Sequence, residues 1–205
     1  MPINMAQKRA KKAQKRKLVV AEKRRIEAQE SSLPARVLRA SQAPIRGCFL
    51  TGSQFEAGMG TLMLVRGATN IHVEMVSFLL DTFCLGVKDA MYKSVEGEVF
   101  ENYLETANAV EPLLEVDPAY ARKLLRDLVA WSQSLGFPPH ADFAALERMF
   151  GDVDADASDA VFTFGHDGKP LYIPGPHDSP YLIRQRVELL RKQLGDDGYD
   201  LVTAA

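Results

Sequence analysis

The chain has 205 residues, 46% of them hydrophobic and 25% charged, which fits one ordinary globular domain plus an appended segment. That composition excludes wholesale disorder, a collagen-like chain and a polytopic membrane protein. The formal net charge of −2 conceals a partition: residues 1–46 carry 13 Lys or Arg against three Glu, a segment of +10, while the remainder carries 12 bases against 24 acids, a body of −12.

The arm comes first. Ala6 to Glu30 is rich in Ala, Lys, Arg, Gln and Glu and has no Gly or Pro, so its intrinsic preference is helical. Leu18, Val19, Val20 and Ile26 are its large apolar residues, too few for a wide packed face, and repulsion among its bases opposes an isolated helix. The segment is therefore expected to be frayed or disordered when free. Ser31, Ser32 and Pro34 predict its end, with a linker to about Pro44. This gives a basic arm and linker over 1–44 and an acidic α+β domain over 45–205.

Within the domain, strands are predicted at Gly47–Thr51, Gly60–Arg66 and Ile71–Leu80. The third alternates Ile71, Val73 and Met75 with His72 and Glu74, the period of a half-buried strand. A helix is predicted within Asp81–Lys93, and a second, capped by Ser94, over about Val95–Ala109. Asp117-Pro118 is a strong helix start, followed by Ala121, Leu124, Leu125, Leu128, Ser132 and Leu135 on one face and stopped by Gly136. A short helix is expected over Ala141–Phe150, then an acidic loop over Gly151–Asp159. Val161–Phe164 and Leu171–Ile173 flank Asp167-Gly168 and read as a hairpin. A last helix starts at Asp178 or Ser179 with Pro180, carries Ile183, Val187, Leu190 and Leu194 at helical spacing, and stops at Gly195. The expected architecture is a single α+β domain with antiparallel strands early, helices in the centre, a late hairpin and a C-terminal helix.

Cys48 and Cys84 are too few for a disulfide framework and form no CxxC pair, which favours a reducing compartment. Met1–Lys17 lacks the apolar core of a signal peptide, and no run of about 18 apolar residues occurs. The expected location is cytoplasmic. A mitochondrial transit peptide competes, since the tail is basic and helix-compatible, but it uses Lys heavily and has Ser only at its far end.

The arm is the most specific functional signal. Lys8, Arg9, Lys11, Lys12, Lys15, Arg16, Lys17, Lys23, Arg24 and Arg25 are candidate phosphate-backbone contacts, because bases that neutralise phosphates release counterions and bind in a salt-dependent, sequence-independent way. The arm has no Phe, Tyr or Trp on which bases could stack, so RNA, DNA or a ribonucleoprotein would be met at the backbone. A solvated tail, or an arm folded on its own acidic body, is the plainer reading.

A second constellation lies in Phe78-Leu79-Leu80-Asp81-Thr82-Phe83-Cys84-Leu85-Gly86-Val87-Lys88-Asp89. On a helix, Asp81, Cys84 and Lys88 share a face, and a lysine one turn from a thiol favours the thiolate. This gives an alternative in which Cys84 is a nucleophile tuned by Lys88 or Asp81, with His177 brought close by folding; the plainer reading buries Cys84 in a core. His177-Asp178, just ahead of a helix start, could also line an anion site. His72, His140 and His166 read as structural or exposed, and no spacing among the histidines matches a metal signature. The glycines of Gly58-Met59-Gly60 and Gly168-Lys169 lack the residues that complete nucleotide-binding loops. Asp152, Asp154 and Asp156 imitate a calcium loop whose Gly and Glu positions hold Ala157 and Thr163. No cofactor or metal is expected. A third class is an interaction module whose acidic body recruits a basic protein.

Cys48, Gly58 and Gly60 before Arg66, the Phe78–Asp89 stretch, Leu135-Gly136-Phe137-Pro138-Pro139-His140 and Phe164-Gly165-His166-Asp167-Gly168-Lys169-Pro170 together resemble a family of bacterial proteins of unknown function. Some members of that family carry a cysteine-rich zinc tail of the SEC-C type, which this sequence lacks. The resemblance spans about residues 45–180, implies a bacterial cytosolic origin and transfers no catalytic residue.

Overall fold

A computed structural model describes residues 30–202 throughout and, within the arm, Gln14, Lys17, Val20, Glu22, Lys23 and Arg24. Strands β1 (Ile45–Thr51), β2 (Met59–Arg66), β3 (His72–Asp81) and β4 (Gly86–Glu96) form an antiparallel meander, and β5 (Leu113–Glu115) pairs with the free edge of β1, giving the order β4-β3-β2-β1-β5. Helix α1 (Leu33–Ala40) precedes the sheet, and the single turn α2 (Gln54–Ala57) links β1 to β2. Helix α3 (Gly97–Val110) follows β4, α4 (Pro118–Ser134) follows β5, and α5 (Phe143–Leu146) runs on into a 3-10 turn at Glu147–Phe150. The chain closes with β6 (Leu171–Tyr172), α6 (Pro180–Leu194) and β7 (Asp200–Leu201). This is the α+β single domain that the patterning predicts.

Alternation along the strands sets the two faces of the sheet. Cys48 and Leu50, Leu62 and Leu64, and Val76, Phe78 and Leu80 point to one face, where Ala121, Leu124, Leu125 and Leu128 of α4 pack with Val37 of α1 and Leu146, Met149 and Phe150. Met63, Val65, Val73 and Met75 point to the other and are covered by Phe100 of α3. Helix α4 begins as its sequence demands: the Asp117 carboxylate accepts from the Ala119 N–H at 2.7 Å and the Tyr120 N–H at 3.4 Å, with Pro118 in the first turn. Ser179 plays the same part for α6, accepting from the Leu182 N–H.

Four expectations are corrected. The helix predicted within Asp81–Lys93 is a strand–turn–strand, so Asp81, Cys84 and Lys88 do not share a helical face. The cause is a β-bulge: Leu79 pairs with Asp89 and Leu80 with Val87, which leaves Lys88 as the extra residue and breaks the period-two signal. Ser94 does not cap a helix; it lies in β4 opposite Glu74, and α3 starts after Glu96. The expected linker contains α1, whose Val37 is fully buried; Pro34 stands in its first turn, a position proline favours, and starts a helix instead of ending one. The late hairpin reduces to one bridge, His166 with Lys169, around Asp167 (φ 52°) and Gly168 (φ 79°). Its flanks find other partners: the Gly165 N–H donates to Thr82 O, the Leu171 N–H to Phe83 O, and β6 pairs in parallel with β7.

Candidate nucleic-acid interface

The arm positions within the described residues, Lys17, Lys23 and Arg24 among them, are helical and exposed. Lys8, Arg9, Lys11, Lys12, Lys15, Arg16 and Arg25 lie outside the described residues. Where the arm joins the body, the basic character continues. Helix α1 buries Val37 and Ala40 while Arg36 and Arg39 stay on its surface. The Arg36 guanidinium lies 4.6 Å from the centre of the Tyr92 ring, a cation–π contact. A bulge at the start of β1 makes Arg46 the extra residue, and its guanidinium donates to the Asn70 side chain.

Beneath Arg36 and Arg39 is a hollow of about 360 Å³ floored by a polar network across β3 and β4. Glu74 accepts from the Tyr92 hydroxyl at 2.5 Å and from the Ser94 hydroxyl at 3.0 Å, and His72 Nε2 lies 2.6 Å from Ser94 Oγ. Burial, with Glu74 adding, pushes the Tyr92 phenol up to about 12, so Tyr92 stays a neutral donor. The Ser94 hydroxyl gives its proton to a carboxylate rather than to His72, which is not the arrangement of a serine nucleophile.

On the other side of α1 a cleft of about 710 Å³ is lined by Arg66, Arg122 and Arg148 together with Gln42 and Asp152. Arg66 continues the core-facing row of Leu62 and Leu64 and is only 5% exposed. Its guanidinium donates to Met149 O at 2.7 Å, Phe150 O at 2.8 Å and Ala43 O, carbonyls at the ends of the 3-10 turn and of the turn after α1; Phe150 O also accepts from the Val153 N–H at 3.2 Å. Arg122 donates to Glu147 at 2.7 Å and to Gly151 O and Val153 O, and Arg126 shares the same Glu147 oxygen. Burial alone would raise the Glu147 carboxyl, but the hydrogen bonds and charges of Arg122 and Arg126 outweigh it and hold it below its ordinary value. Arg66, Arg122 and Arg148 were not selected from the sequence. Arg66 left a readable signal, a charge on the buried face of a strand.

One helix of the body is purely acidic. Helix α3, on the opposite face of the sheet from α1, carries exposed Glu98, Glu101 and Glu105 and no base.

The residues of the cysteine reading are placed differently. Cys84 is fully buried among Leu85, Leu135, Phe137, Tyr172 and Leu190, and burial, with Asp81 adding, raises its thiol far above the ordinary range. Asp81 is also buried: its Oδ1 accepts from the Phe83 N–H at 3.1 Å and the Cys84 N–H at 2.8 Å, which fixes the β3–β4 turn. Burial raises its carboxyl despite those bonds. Lys88, re-aimed by its bulge, lines a cleft of about 250 Å³ with Asp81 and the 173–176 loop. His177 is exposed, while Asp178 turns inward to Arg186 at 2.6 Å and the Gly175 N–H at 2.9 Å. His140 lies 3.7 Å from Asp89, and His166 stacks edge-on to Phe83. Among the described residues no histidine hydrogen-bonds Cys84. Cys48 is equally sealed, burial pushing its thiol up to about 12. A thiol reagent at pH 8 is therefore expected to find no fast-reacting cysteine in the native protein and two in denaturant; a fast native phase assigned to Cys84 would reinstate the nucleophile.

Compared with protein-family models, with characterised proteins and with solved structures, the chain matches none.

Proposed function

We propose that the protein associates with nucleic acid or a ribonucleoprotein, gripping phosphate backbone through its basic arm, with Arg36, Arg39 and Arg46 extending that surface onto the body. The observation that carries the reading is continuity. Residues 1–30, with ten Lys or Arg against three Glu, lead into a helix anchored by buried Val37 that keeps two more arginines on its surface, while the acids of α3 face away on the other side of the sheet. Bases clustered on one segment steer a polyanion toward it. The absence of aromatic residues from the arm favours backbone contact over base stacking.

The test uses the full chain with Gln at Lys8, Arg9, Lys11, Lys12, Lys15, Arg16, Lys17, Lys23, Arg24 and Arg25, measured against RNA and duplex DNA in a salt series. If about six phosphates are engaged, wild-type affinity falls by about 10³ between roughly 50 and 200 mM salt. The neutralised chain is expected to bind far more weakly and with a shallower slope. Binding that is weak in wild type, insensitive to salt, or unchanged by neutralisation overturns the reading.

A further inference from the structure

We infer that the cleft beside the C-terminal end of α1 is a site for a phosphate group, built from Arg66, Arg122 and Arg148 and independent of the arm. Its inner wall is a buried guanidinium whose hydrogen-bond partners are carbonyl oxygens, so Arg66 is fixed in position with its charge unmatched by any bonded carboxylate. Arg122 is held as firmly by Glu147 and two carbonyls. Arg148, at the rim, is exposed and has no side-chain partner among the described residues. The lining of the cleft thus holds three guanidinium groups against the one carboxylate of Asp152.

Such an excess of two positive charges suits a dianion. Planar guanidinium forks match the geometry of phosphate oxygens better than ammonium groups would. Pre-positioned cations also bind without first paying to order long side chains. The volume, about 710 Å³, is that of a small-ligand cleft. Gly151 (φ 62°) keeps it open: a Cβ there would stand 3.1 Å from Arg66 Nη2 and 3.4 Å from Ser41 O. Asp152 opposes an anion by its charge, which gives the site a variant of each sign.

The phosphate can come from the end of a nucleic acid or from a small phosphorylated molecule. Calorimetry on the full chain with inorganic pyrophosphate, ATP, and one RNA oligonucleotide carrying either a 5′-phosphate or a 5′-hydroxyl distinguishes these sources. Pyrophosphate is expected to bind wild type, about tenfold more weakly to Arg148→Gln, with an intermediate value for Arg148→Lys, and several-fold more tightly to Asp152→Asn. Both positions are exposed, so unchanged melting temperatures will show that the variants are folded. Lys17→Gln, Lys23→Gln and Arg24→Gln are expected to leave pyrophosphate binding unchanged, which separates this site from the arm. An Arg148-dependent preference for the 5′-phosphorylated RNA assigns the polymer as source; tighter ATP binding without that preference assigns a small molecule. Absence of pyrophosphate binding at millimolar concentration, or binding indifferent to both Arg148→Gln and Asp152→Asn, overturns the site.

Discussion

A Gly86→Val chain is expected to lose about 3–5 kcal/mol of folding stability, a large share of what a domain of this size holds. Gly86 opens β4 at φ 74°, a conformation that costs a residue with a side chain about 1–2 kcal/mol. The larger effect is contact. A Cβ at this position would stand 2.3 Å from Ser132 Oγ and 2.5 Å from Ser132 Cβ. Ser132 is fully buried on α4 and its hydroxyl donates to Val129 O, so it has no free volume into which to retreat. The strand must leave the helix, or the helix the sheet. Gly168→Ala separates the two causes, since Gly168 has φ 79° and nothing within 4 Å of its Cβ position. Urea unfolding of both is the measurement. A Gly86→Ala chain no less stable than Gly168→Ala would mean that α4 does not press on the β3–β4 turn.

Arg66→Met is expected to cost a similar amount, about 3–5 kcal/mol, seen as a fall in Tm on the order of 10 °C. Methionine fills much of the arginine's volume, so the loss is not a cavity. It leaves Ala43 O and Met149 O turned toward an apolar chain in the interior without the donor they have now, and Phe150 O with only the Val153 N–H at 3.2 Å. Replacing a buried ion and all its partners together can be neutral; here the partners are backbone and remain. Lysine recovers part of the loss, because one ammonium cannot reach three carbonyls with the spread of a guanidinium. A melting temperature within a degree or two of wild type for Arg66→Met would show that these carbonyls find water instead. Arg148→Gln, in the same cleft but exposed, is the matched control.

The sheet and its main covering helix were readable because each signal there is local. The start of β3, His72–Met75, alternates exposed or half-buried residues with buried ones, and Asp117-Pro118 carries both the cap and the proline that a helix start requires. Ala121, Leu124, Leu125, Leu128, Ser132 and Leu135 are all buried, as their spacing predicts. What escaped depended on pairing. The bulge at Lys88 shifts the side chains of β4 out of step, so Asp81, Cys84 and Lys88 fall at intervals that imitate a helix. The Asp167-Gly168 turn was legible, but its flanks bond to Thr82, Phe83 and β7, choices that no short window contains. Helix α1 offers just Leu33, Val37 and Ala40 to the core, a pattern too brief to rise above a linker. The arginine cleft is assembled from positions 66, 122 and 148, far apart in the chain and brought together only when α4 and the 3-10 turn pack over the end of β2.

The parallel pair of β6 with β7 has a consequence for how the protein is made. The Asp200 N–H donates to Pro170 O and the Val202 N–H to Tyr172 O, and Tyr172 in turn packs over Cys84 together with Leu190 of α6. The cover over Cys84 therefore draws on chain from Leu85 to Leu190, so it is completed only after α6 has been added. A nascent chain that ends before α6 lacks Leu190, and its Cys84 is covered by Leu85, Leu135, Phe137 and Tyr172 alone.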